Sequence, residues 1–233
     1  MNLLNEEYKT LKGATSHVDE NVFCGCGNTT VPTSTGEPTI HPEFCKFLET
    51  VYNTNVVPNY TTNGISIANS GYVSGAILEA TRRYVGGVAV SFGNKTIRNY
   101  ARTAVNKLIT LGDTNINIHH IISTKESVDE FVAEWARYGD DVLYHVLLPL
   151  MPHGRSDKGL EEGVFEYLEE VVDKNGIKNV AFGANFIKSL ETSKIKTWLY
   201  DEHSLSANCI LKPDEIILTK SSFDLNPVKV IKL

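Results

Sequence analysis

Three groups of residues have types and spacing suited to chemistry. Glu37 lies in Ser34-Thr35-Gly36-Glu37-Pro38-Thr39, between a glycine that tolerates a close ligand or backbone approach and a proline that fixes φ. At the carboxyl end of a strand, such a carboxylate points to where α/β sheets and barrels bind ligands and can grip a cation. On these residues alone, a solvated glutamate in a strand-to-helix turn is an equally good reading. Cys24 and Cys26 could give two thiolates to a metal. No nearby Cys or His pair completes a tetrahedral set, so two inert thiols in a strand or turn is the stronger reading. The third group is His119, His120 and His145, followed by Arg155 in Pro152-His153-Gly154-Arg155. On a strand His119 and His120 diverge and cannot chelate one metal as a pair. His119 reads as an interior hydrogen-bonding or substrate-facing residue, and a satisfied core histidine fits as well. Arg155 offers a guanidinium to a carboxylate or phosphate, although a surface arginine in a loop is the somewhat better reading.

These residues need strands and helices to position them. Pro42 and Glu43 suit a helix start, and Phe44, Phe47, Leu48 and Val51 form one apolar stripe behind them. A strand is expected over Asn55 to Tyr60, with Pro58 demoting it towards an edge or bulge, and Thr61-Thr62-Asn63-Gly64 ends it. A helix from about Ser70 to Tyr84 shows Val73, Ile77 and Ala80 on one face, and Gly86-Gly87 breaks it. In the strand Val88 to Phe92, Ala89 and Ser91 share one face, so Ser91 enters a barrel if Val88 and Val90 meet the helices. Asn94 can cap a helix buried through Ile97, Ala101, Ala104, Val105 and Leu108. The strand Ile116 to Ile122 puts Ile116 and Ile118 opposite Asn117 and His119.

A capping box, Ser123-x-x-Glu126, opens a helix with Val128, Phe131, Val132 and Trp135 inward, and Tyr138-Gly139-Asp140 closes it. His145 interrupts the apolar strand Val142 to Leu148. A helix from Gly163 to Val172, ended by Asn175-Gly176, and a strand from Val180 to Ile187 continue the alternation. The tail, Ala207 to Leu211 and Ile216 to Thr219 about Lys212-Pro213-Asp214-Glu215, reads as a β-hairpin. The fold class is therefore α/β, a partial (β/α) barrel of mostly parallel strands over 29–190. A lead-in segment (1–28) precedes it and an extension with the hairpin (191–233) follows.

With 233 residues, 42% hydrophobic and 21% charged, the chain suits one globular barrel domain. Lys plus Arg total 22 against 28 Asp plus Glu, a net charge of −6, which argues against a general nucleic-acid surface. No run approaches the ~20 apolar residues of a membrane span, and the first residues lack a signal-peptide pattern, so a cytoplasmic location and no membrane partner are expected. The four cysteines, Cys24, Cys26, Cys45 and Cys209, do not form a disulfide framework and are expected reduced.

Gly36-Glu37-Pro38-Thr39-x-His41-Pro42-Glu43-Phe44, followed by Thr61-Thr62-Asn63-Gly64, resembles the second and third strand ends of radical S-adenosylmethionine (SAM) enzymes. Thr35 stands where that family usually has the first glycine of Gly-Gly-Glu. Ser91 matches the family's fourth-strand serine, and Pro152-His153-Gly154-Arg155 resembles the exit of its sixth strand. The resemblance covers about residues 29 to 190, and it implies that Gly36, Glu37 and Pro38 hold the methionyl end of SAM. It makes Thr62, Asn63 and Ser91 further SAM contacts, and His119, His145 and Arg155 substrate candidates. The family reductively cleaves SAM at a 4Fe-4S cluster bound by a Cys-x3-Cys-x2-Cys loop, and no cysteine spacing here fits that loop. The resemblance then implies either a truncated or split protein, its first barrel strand missing and a partner chain able to supply the loop, or a protein that has lost the cluster. Its substrate is an unidentified small molecule or peptide. The other reading is a non-catalytic barrel fragment that binds a ligand or protein partner.

Overall fold

A computed structural model describes residues 37–55, 57–93, 95–112, 114–150 and 159–182, and the backbone of strand segments 32–33, 208–212, 215–219 and 229–232. Its strands and helices alternate. β1 (Pro32–Thr33), a 3-10 turn (Pro38–Ile40), α1 (Phe44–Tyr52), β2 (Asn59–Thr62), α2 (Ile65–Ala68) and α3 (Tyr72–Tyr84) come first. Then follow β3 (Gly87–Phe92), α4 (Lys95–Leu111), β4 (Asn115–Ile122), α5 (Lys125–Tyr138), β5 (Tyr144–Pro149), α6 (Val164–Asn175) and β6 (Val180–Phe182). The six strands pair in sequence order and every pairing is parallel, the expected partial (β/α) barrel. By backbone pairing, β7 (Asn208–Lys212) lies antiparallel to β8 (Glu215–Thr219), which pairs with β9 (Lys229–Lys232).

The register decides what each side chain meets, because parallel partners point to the same face. One face holds Tyr60, Val88 and Ile116 in one row, Thr62, Val90, Ile118 and His145 in the next, and Phe92, His120 and Leu147 in a third. The helices cover this face. The Tyr60 ring meets Phe44 of α1 edge-on at 5.0 Å, and its hydroxyl is 2.8 Å from Thr81 Oγ1 of α3. Phe92 packs on Tyr138 and His120 on Phe131, both from α5. Leu48, Ile67, Val90, Leu108, Ile118, Phe131 and Leu147 are inaccessible to solvent, each full burial contributing about 1.5–3 kcal/mol. The opposite, inner face carries Thr61, Ala89, Asn117 and Tyr144 in one row and Ser91, His119, Val146 and Ala181 in the next.

Several local expectations are corrected. β2 starts at Asn59 and not Asn55, because α1 is followed by a turn with Asn55 at φ +62°. Pro58 thus sits just outside the ladder, where its missing N–H is no loss, and its carbonyl accepts from Gly86 N at 3.1 Å. Val73 is 63% exposed, and Ser74 takes the buried position by donating to Ile67 O at 2.7 Å. The capping box is Thr124 with Ser127, one residue later than expected, and Glu126 instead pairs with Lys95 at 2.8 Å. β5 begins at Tyr144, two residues later than expected. Asn94 and residues 183–187 of the last expected strand lie outside the described residues.

Gly64 is required by space as well as backbone. Its φ is +79°, and a Cβ would lie 2.9 Å from Ala104 Cβ and 3.2 Å from Ala101 Cα. That close approach seats α2 on α4 directly behind the β2 exit. A charge ladder locks α4 to α5: Lys95, Arg98 and Arg102 face Glu126, Glu130 and Glu134, with Arg102 Nε donating to Glu134 Oε1 at 3.1 Å. Among the described residues no helix is long and apolar enough to cross a membrane.

Candidate functional site

The exits of β1 and β2 are tied together by one carboxylate. Glu37 is half-buried and caps the 3-10 turn that Pro38 begins. Its Oε1 accepts from Thr39 N at 3.2 Å, from the Thr39 hydroxyl, and from Thr62 Oγ1 at 2.7 Å. Its Oε2 accepts from Asn63 N at 2.6 Å. Thr62 Oγ1 also accepts from Gly64 N at 3.0 Å, and Asn63 Oδ1 accepts from Ile65 N at 2.9 Å, fixing the turn into α2. A carboxylate has about four acceptor positions, two per oxygen. Oε1 is saturated by three donors, whereas Oε2 has one and keeps a lone pair open. Its partners among the described residues are backbone amides and hydroxyls, and none of them is a cation, so there the carboxylate is held by dipoles alone. That arrangement suits an ammonium.

The histidines separate into two environments. His119 lies on the inner face, in register with Ser91 and Val146, and is 7% exposed. Among the described residues its Nε2 has no hydrogen-bond partner, nor does Asn117 Oδ1 two residues earlier on the same face. Burial pulls the His119 pKa down to about 4, so the ring is neutral near pH 7. His120 and His145 lie on the helix-covered face. His120 Nε2 and His145 Nδ1 are 3.0 Å apart and share one proton, and the rings stack at 5.3 Å beside Phe131. Burial lowers both pKa values, that of His145 to about 4 and that of His120 well below the ordinary 6.5, with His145, His119 and Arg98 adding to the effect at His120. A cavity of about 40 Å³ adjoins His120, lined also by Arg98, Ser127, Glu130 and Glu134. It has room for water and not for a metabolite, and lies among helix residues away from Glu37.

The structure thus brings Glu37, Pro38, Thr62 and Asn63 together at one strand-end junction, with Ser91 and His119 side by side on the inner face. His145 falls on the other face, enclosed between the sheet and α5. Gly36, Arg155, Cys24 and Cys26 lie outside the described residues. Among the described residues no group of three or more His, Cys, Asp or Glu could hold a metal. Cys45 is half-buried, and burial raises its pKa, opposite to what a metal-ligating thiol needs. Thr61 and Asn117 were missed as site residues. Strand alternation hinted at Asn117, which shares the His119 face; only the register shows that Thr61 does too.

No protein-family model matches the sequence, and no curated protein matches it. Solved structures of SuiB from Streptococcus suis do resemble the fold. SuiB bound to S-adenosylmethionine superposes with a TM-score of 0.51 at 13% identity, covering 66% of this chain and 39% of that one. SuiB bound to its precursor peptide SuiA gives 0.53 at 13% identity, covering 70% and 40%. At that identity the likeness concerns the fold alone, and this chain spans about two fifths of the SuiB length.

Proposed function

We propose that this chain is a SAM-binding, radical SAM-type protein that grips the methionyl ammonium at Glu37. The observation that carries the reading is the half-buried Glu37 carboxylate, anchored by Thr39, Thr62 and Asn63 and without a cation among the described residues. Support comes from the SAM-bound SuiB structure, which shares the fold, and from the Gly36-Glu37-Pro38 motif. In this reading Gly36 and Pro38 shape the approach to the amine, Thr62 and Asn63 hold the carboxylate, and Ser91 contacts SAM from the inner face. His119 and Arg155 remain substrate-side candidates, whereas His145, enclosed on the helix-covered face beside His120, does not. Bound SAM supplies a sulfonium whose reductive cleavage starts radical chemistry. The cysteines of this sequence do not fit a 4Fe-4S cluster, and no step is assigned to one here. On this reading the cluster loop comes from a missing segment or from a partner chain, and the substrate is a small molecule or peptide.

The cysteine spacing itself favours a second reading, a barrel unit that binds a ligand or protein partner without radical chemistry. Calorimetric titration tests the shared step. SAM is expected to bind, and Glu37→Gln to weaken it about tenfold, or 1.4 kcal/mol, while 5′-methylthioadenosine, which lacks the amine, binds both proteins equally. Equal SAM affinity in the two proteins removes Glu37 from the site. Anaerobic reconstitution with iron and sulfide separates the two readings. If the chain alone or with its partner yields 4Fe-4S absorbance and 5′-deoxyadenosine, the non-catalytic reading is overturned.

A further inference from the structure

The inner face is polar but carries no fixed charge. At its described positions the five strands β2 to β6 place Asn59, Thr61, Ser91, Asn115, Asn117, His119 and Tyr144 among small and apolar residues, with no Asp, Glu, Lys or Arg among them. Within that surface Asn117 is 9% exposed and His119 is 7% exposed, and each has a side-chain polar atom without a partner. Buried amides and imidazoles are ordinarily paired, because each gave up water hydrogen bonds on folding. Two such orphans at i and i+2 of one strand point to the same side, about 7 Å apart along the chain. The flanking positions in register, Ala89 and Tyr144 beside Asn117 and Ser91 and Val146 beside His119, bring no ionic partner.

We infer that Asn117 and His119 form a reading site for an uncharged amide group of the substrate, such as a peptide bond or a carboxamide. The inference rests on the reading of the inner face as the substrate side of a SAM-binding barrel. A primary amide side chain is the natural complement of another amide, since each offers one N–H and one C=O in the same plane. The imidazole is neutral near pH 7 and serves as donor or acceptor by choice of tautomer, so it completes the recognition without asking for a charge. A carboxylate or ammonium at this position would be buried with no counter-charge, and the site rejects it on desolvation grounds. Charge recognition is left to Glu37 at the strand ends.

The test is NMR of the full chain with labelled histidine and asparagine, titrated with N-acetylglycine N-methylamide as a neutral diamide probe. A saturable shift of the His119 ring and the Asn117 side-chain amide is expected, with acetate and methylammonium at least tenfold weaker. Asn117→Leu should weaken the diamide at least tenfold, and His119→Gln, which keeps a neutral donor and acceptor, should retain more binding than His119→Phe. A silent His119 ring, or acetate binding as well as the diamide, overturns the inference. SAM titrated into the same sample keeps the two readings apart. SAM binding with a silent His119 sinks the amide site alone, and diamide binding without SAM binding sinks the Glu37 reading alone.

Discussion

The helix-covered face of the sheet is buried nearly throughout, whereas the inner face is buried only at its centre, around Ala89, Asn117, His119 and Val146, and the two differ in how their buried polar groups are satisfied. On the helix-covered face Tyr60 is paired with Thr81 and His120 with His145, and beyond them Glu134 accepts from Arg102 between α4 and α5. On the inner face Asn117 Oδ1 and His119 Nε2 have no partner, although neither residue is more than 9% exposed. His145 Nε2 is also unpaired among the described residues, enclosed by rings on the covered side. Asn117 and His119 are as buried as core residues, so burial alone does not mark them; their open hydrogen bonds on a face that no described helix covers do.

The covered face should behave as a core. Phe131 is fully buried and touches both His120 and His145, so Phe131→Ala removes packing from α5 and from both rings together. A loss of about 3–5 kcal/mol in urea unfolding is expected, the usual range for a fully buried aromatic. A loss under about 1 kcal/mol would mean that α5 is not seated on the histidine pair, and the contrast between the faces would fall with it.

The alternation of strand and helix was legible because apolar periodicity is local: the stripe Ala101, Ala104, Val105, Leu108 and the strand Ile116 to Ile122 both carry it in their own residues. The capping box was misread by one position, since Ser123-x-x-Glu126 and Thr124-x-x-Ser127 compete for the same turn. Here Ser127 Oγ accepts from both Ser123 N and Thr124 N, a pairing that depends on backbone geometry. Glu37 could be singled out in the sequence, but its anchoring by Thr62 and Asn63 spans more than twenty positions and needs the parallel pairing of β1 with β2. For the same reason His145 could not be assigned a face. Only the pairing of Ile118 with His145 puts it on the helix side.

Acid should weaken both faces at once. His119, His120 and His145 all have pKa values below the ordinary 6.5, chiefly through burial, so the unfolded chain binds more protons than the folded one as the pH falls. Stability is then complete above about pH 6.5 and declines from there towards pH 4, where His119 and His145 begin to protonate in the folded state. Each histidine that remains neutral contributes a slope of at most about 1.4 kcal/mol per pH unit. Glu130, whose pKa is held down by the Arg98 hydrogen bond, adds to the decline only below its usual range near 4.5. Urea midpoints measured between pH 7 and pH 4.5 should fall, and His119→Gln should fall less steeply than the parent. A flat profile would place all three rings in contact with water, against their burial.

The smallest effect is expected where the inner face is altered without a ligand. Asn117→Leu replaces an unanswered amide by an apolar side chain of similar size, so no hydrogen bond of the folded chain is broken and a desolvation penalty is removed. The change in unfolding free energy should lie within about 1 kcal/mol of zero and is expected on the stabilising side. The same substitution between covered residues, Tyr60→Phe, removes the hydroxyl that Thr81 pairs with and should cost about 1 kcal/mol. The sign of the difference between these two variants is the measurement that matters. If Asn117→Leu destabilises the chain more than Tyr60→Phe does, Asn117 is serving the fold through a contact of its own, and the inner face is a second core.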